Sequence, residues 1–146
     1  MVKLMNKADL HFMEVTIDAV REGAKLLDDL VPDWHTHFEY LDTIHMSDPY
    51  QCICGQLFVG KVREMLIDKY GMEKNHEHDV MGSGYQFFAS YLSEVINLPH
   101  NPDYYGFEIS DPDEFHYYAV LDDPTQRYEV LGEYWIAEIK MRRGEK

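Results

Sequence analysis

Apolar residues in the first part of the chain recur at Leu10, Met13, Ile17, Val20, Ala24, Leu27 and Val31, in alternating steps of three and four. Such steps keep one stripe on one side of a helix with about 3.6 residues per turn, so the pattern predicts a helix over 8–31. Asn6 or Asp9 offers a side-chain acceptor at its start. Pro32 ends it, because the residue before a proline is pushed out of the helical region. Residues 33–46 form an aromatic and histidine-rich connection with one or two helical turns over 34–41. Ser47-Asp48-Pro49 predicts a helix entrance; Leu57, Phe58, Val62, Met65 and Leu66 then carry a second long helix to Tyr70, with Gly71 at its stop.

A polar loop covers 75–79, and Phe88, Tyr91, Leu92 and Val95 predict a third helix over 84–97, ended near Pro99. Pro99, Pro102, Pro112 and Pro124 make 98–124 irregular; within it 105–109 and 115–121 either pair as a small hairpin or form a helical turn. From Pro124 or Thr125 the spacing of Tyr128, Leu131, Trp135 and Ile139 predicts a last helix, with Lys140, Arg142 and Arg143 complementing its C-terminal dipole. The expected fold is mainly α: a compact single domain of about four helices with an irregular acidic segment at 98–124.

Length and composition fit that expectation, since 146 residues with 45% hydrophobic content suit one core. Cys52 and Cys54 are too few for a disulfide scaffold, and neither a charged-then-apolar leader nor a run of about 18 apolar residues is present. A cytoplasmic protein that does not span a membrane is expected.

Charge changes the picture more. Lys and Arg number 13 against 27 acids, a net charge of −14 that argues against direct binding to nucleic acid. The asymmetry is local: residues 75–126 contain no Lys or Arg and carry Glu77, Asp79, Glu94, Asp103, Glu108, Asp111, Asp113, Glu114, Asp122 and Asp123. Tyrosines and phenylalanines are interleaved with these acids. A carboxylate steers a basic partner and a rigid ring supplies contact area at small entropic cost, so Tyr104, Tyr105, Asp111, Asp113, Glu114, Tyr117, Tyr118, Asp122 and Asp123 are the candidate partner-binding residues. The alternative is a solvated acidic face over aromatics that fill the core.

Candidate chemistry is thinner. His35, His37 and His45 with Cys52, Cys54, His76 and His78 supply enough ligands for a structural zinc. Cys-x-Cys is tighter than the usual cysteine spacing, however, and on a helix such residues point apart, so both cysteines are expected as small buried apolar groups. His76-Glu77-His78-Asp79 offers only a weak surface site for a divalent ion. Gly82-Ser83-Gly84 lacks the strand-to-helix context of a nucleophile elbow, and the segment 55–60 lacks the Lys-Ser/Thr ending of a phosphate loop. Adjacent acids such as Asp28-Asp29 do not by themselves make the buried geometry of a general base. No catalytic residue, metal or cofactor is therefore expected.

Residues 23–28 (Gly-Ala-Lys-Leu-Leu-Asp), Pro32-Asp33-Trp34, Leu41-Asp42, 52–58 (Cys-Ile-Cys-Gly-Gln-Leu-Phe), Tyr105-Gly106-Phe107-Glu108 and 135–143 together resemble a group of small proteins of actinobacteria and their phages that carry no assigned activity. Cys52 matches a cysteine of that group, whereas Cys54 stands where an aliphatic residue is usual. The resemblance implies an accessory protein of phage origin. On these grounds the first expectation is a non-enzymatic binding protein, monomer or homodimer, that engages a basic site on a host protein and acts as an inhibitor or nucleic-acid mimic. A small metal-binding protein using His and Cys, and a helical module that self-associates through the 10–31 stripe, are the alternatives.

Overall fold

The computed structural model describes residues 7–70, 82–109 and 124–144, which are mainly helical. Helix α1 (Lys7–Leu30) follows the predicted span, and the Val31 N–H still donates to the Leu27 carbonyl at 2.8 Å before Pro32 breaks the ladder. Its buried side runs through Phe12, Thr16, Ala19, Val20, Ala24, Leu27 and Leu30. The predicted stripe holds only from Val20 onward: Leu10 is 52% exposed, while Met13 and Ile17 are half-buried. The face turns because α1 packs on two things at once, the last helix and a 3₁₀ turn at Pro102–Tyr105.

After α1 come two 3₁₀ turns, Trp34–His37 and Leu41–Thr43, where helical turns were expected. The predicted second long helix is instead two: α2 (Ile53–Leu57) and α3 (Gly60–Tyr70). Phe58 leaves the helical region at φ −86° and ψ 56°, and Gly60 takes φ 54°, the left-handed region that glycine enters without a Cβ penalty. The bend buries Leu57, Phe58, Val62 and Leu66 together and leaves Met65 exposed. Ser47-Asp48-Pro49 forms a turn ahead of α2; the cap is Cys52, whose Sγ accepts from the Gly55 N–H at 3.3 Å.

Residues 84–95 form one rod in three parts: α4 (Gly84–Phe87), a π turn (Phe88–Leu92) and α5 (Ser93–Val95). The Ser93 N–H reaches back to the Phe88 carbonyl, one residue farther than in an α-helix. That extra residue lets the neighbours Phe87 and Phe88 both be buried, while Val95, expected on the same face, is exposed. Asn97 closes the rod in a left-handed conformation (φ 57°), with the Leu98 N–H on the Ser93 carbonyl and the Asn97 N–H on that of Glu94. Ser83 caps its start by accepting from the Gln86 N–H at 3.1 Å, a structural role for the Gly-Ser-Gly turn.

The hairpin reading receives a correction on its described half, since Tyr105 ends the Pro102–Tyr105 turn and no strand occurs among the described residues. Its other half, 115–121, lies outside them. Helix α6 (Pro124–Arg142) begins where predicted and buries Leu131, Trp135 and Ile139. A relay of rings joins these pieces: Phe58 stacks on Phe88 (5.5 Å between centroids), Phe88 meets Phe107 edge to face (4.8 Å), Phe107 stacks on Trp135 (5.5 Å), and Trp135 meets Trp34 edge to face (5.7 Å). No helix among the described residues is long and apolar enough to cross a membrane.

Candidate binding groove

A cavity of about 910 Å³ forms a groove bounded by α1, the 100–104 stretch and the end of α6. Gly23 sets how closely its walls approach. A Cβ there would lie 1.9 Å from the Tyr105 carbonyl oxygen and 2.9 Å from the Trp135 ring, so only a hydrogen lets the turn and α6 close on α1. The turn is fixed further by Gly106, at φ 72° against the Val20 backbone, and by the Trp135 Nε1–H, which donates to the Gly106 carbonyl at 2.6 Å.

Val15, Ala19 and the 62% exposed Met141 give the groove an apolar lining. Above it stand His100 and Tyr104, their rings stacked with centroids 3.7 Å apart, and Tyr104 keeps 43% of its surface exposed. Charged groups of both signs surround them, and most cations are already paired. Lys25 contacts Glu22 at 3.2 Å. Arg142 donates to both carboxylate oxygens of Asp28, at 3.1 and 2.9 Å, to Glu138, and lies over the Trp34 ring. These bonds hold the Asp28 carboxyl below its ordinary value and the Arg142 guanidinium above its own. Asp18 and Arg21 project from α1 with no ion pair among the described residues, and the Asp103 carboxylate accepts from the neighbouring Tyr104 N–H, at 3.0 Å.

Two of the nine candidate partner-binding residues can be placed. Tyr104 is exposed; Tyr105 is a correction, 7% exposed and packed against Phe107, because the 3₁₀ turn points successive side chains in different directions. Asp111, Asp113, Glu114, Tyr117, Tyr118, Asp122 and Asp123 lie outside the described residues. Of the other acids in the base-free stretch, Glu94 is exposed on α5 and Glu108 turns inward. Glu108 accepts from the Tyr85 hydroxyl at 2.9 Å and from the Tyr128 hydroxyl, tying the end of the 98–109 stretch to α4 and α6. Burial, then the hydrogen bond to Glu108, pushes both phenols well above their ordinary range. Nothing in the sequence separated Glu108 from the solvated acids around it, since the pairing joins three distant segments.

Cys52 and Cys54 are buried, and burial raises the Cys52 thiol to about 11 and that of Cys54 well above its ordinary value, which leaves both as weak nucleophiles. His35 packs its ring edge to face with Trp34, and His37 lies 3.5 Å from Asp33. Among the described residues no three of His, Cys, Asp and Glu converge as metal ligands; His76 and His78 lie outside them. The self-association stripe is used internally from Val20 to Val31.

Elsewhere the same division of charge recurs. Arg63 donates to the carbonyls of Phe58 and Gly82, both at 2.9 Å, Arg143 donates to that of Phe38, and Arg127 is buried with its guanidinium over the Phe12 ring. Glu14, Asp18, Asp29, Asp33, Glu39, Asp42, Glu64, Asp68, Glu94, Glu129 and Glu133 are exposed. Comparison with protein-family models, with curated proteins and with solved structures finds no match to this chain.

Proposed function

We propose that this chain is a non-enzymatic binding protein that engages a basic site on another protein. The observation that carries the reading is the division of charge just described: Arg63, Arg127, Arg142 and Arg143 are committed to carbonyls, carboxylates or ring faces, and the exposed charges of the described residues are mostly carboxylates. A surface of that kind attracts cationic partners over a Debye length and repels phosphate backbones. In this reading Tyr104, at the edge of the groove, is a contact residue, and Asp111, Asp113, Glu114, Tyr117, Tyr118, Asp122 and Asp123 are the other contact residues expected from the sequence. The phage origin implied by the resemblance would make the partner a host protein, with the acids competing for a groove that otherwise holds phosphates.

The test is affinity capture from host lysate at low and high ionic strength, followed by binding measurements on the captured protein. Capture of a basic protein whose affinity falls steeply with salt is the expected result. Captured partners with no excess of Lys and Arg, or affinities indifferent to salt, overturn it.

A further inference from the structure

Resting on that reading, we propose that the groove between α1, the 100–104 stretch and α6 seats an arginine side chain carried on an extended segment of the basic partner. Three properties of the site select this occupant. Val15, Ala19 and Met141 offer an apolar bed for a methylene stem. The Tyr104 ring, backed by His100 at 3.7 Å and 43% exposed, offers a rigid π-surface, and a guanidinium stacks on such a surface better than an ammonium does. Asp18 and Asp103 carry negative charge that no cation of the described residues neutralises, whereas Lys25 and Arg142 are already paired with Glu22, Asp28 and Glu138.

Arg21 is the exception, and it supplies the sharpest test. It stands on the same wall as Asp18, exposed and without an ion pair among the described residues, so it opposes a cationic occupant and would favour an anionic one. Reversing Arg21 and reversing Asp18 must therefore act in opposite directions, and the directions identify the sign of the ligand.

Fluorescent nona-arginine, nona-lysine and an oligo-glutamate peptide serve as probes of the full chain at low ionic strength. Nona-arginine is expected to bind more tightly than nona-lysine, and oligo-glutamate not at all. Arg21→Glu should tighten nona-arginine severalfold; Asp18→Lys should weaken it about tenfold, and Tyr104→Ala about three- to fivefold. Glu64→Lys on α3, away from the groove, has the same charge change as Asp18→Lys and is the control, with circular dichroism confirming that each variant folds. The His100 ring resonances should move on titration with nona-arginine.

Each failure has its own meaning. No binding of nona-arginine overturns the binding-protein reading and the groove assignment with it. Binding that weakens equally in Asp18→Lys and Glu64→Lys, is unchanged in Tyr104→Ala and leaves His100 unperturbed overturns the groove alone. Equal affinity for nona-lysine overturns the assignment to arginine. Tightening by Asp18→Lys with weakening by Arg21→Glu overturns the cationic occupant.

Discussion

At Gly23 a single hydrogen decides how two segments meet. The hypothetical Cβ would press on a backbone carbonyl, which has no rotamer to move to, as well as on the Trp135 ring. Gly23→Ala should therefore destabilise by about 1–3 kcal/mol, the usual cost of overpacking, despite the gain in helix propensity, and urea denaturation checks this. Glu108 is a second such position. Tyr85→Phe and Tyr128→Phe keep their rings but remove a donor each, and each should cost about 1 kcal/mol at neutral pH. The pH dependence has a definite sign. Both phenols titrate above their ordinary value in the folded chain, so the stabilisation is complete below about pH 10 and is lost as pH rises beyond it. Alkaline unfolding followed by tryptophan fluorescence should be shallower in the double phenylalanine variant than in the wild type. The sequence offered Tyr85, Glu108 and Tyr128 as unrelated residues, because a hydrogen bond between positions 20 or more apart leaves no local pattern.

Helices α1 and α6 are clasped by Arg142, whose fork reaches Asp28 across 114 positions of sequence. Asp28 also accepts from the Trp34 indole N–H at 2.8 Å, so one carboxylate joins both helices and the turn after α1. Its depressed titration adds stability that is present above about pH 3.9, the ordinary aspartate value, and disappears as pH falls through and below it. Asp28→Asn should lower the urea midpoint at pH 7, with the gap to wild type narrowing below about pH 4. A gap unchanged in acid would show that the charge on Asp28 does not do the holding. Element by element, α1 and α6 were legible because a long stripe and a proline leave marks in the sequence itself. The break between α2 and α3 was not, since the apolar spacing runs through Gly60 and only the need to bury Leu57, Phe58, Val62 and Leu66 against one core bends the chain there. The π turn was hidden likewise, as consecutive Phe87 and Phe88 fit an α-helix until both must be covered.

For the molecule as a whole, the net charge of −14 stands beside Arg63, Arg127, Arg142 and Arg143, which turn toward their own protein. Self-repulsion in such a surface weakens with ionic strength, so the melting temperature should rise as salt is added; a fall would mean that the internal ion pairs outweigh the repulsion. Salt is thus expected to stabilise the chain and, if the proposed function holds, to weaken binding to a basic partner. Composition and periodicity, which act through near neighbours, were sufficient by themselves to set the helical class, the extents of the first and last helices and the anionic surplus. Tertiary structure alone decided which acids and rings meet solvent. It turned Glu108 and Tyr105 inward, left Tyr104 on His100 at the groove, and divided the cations between paired and free. Side-chain direction depends on which distant segments pack together, and burial is settled by the whole core at once, so residues identical in type and adjacent in sequence end in opposite environments.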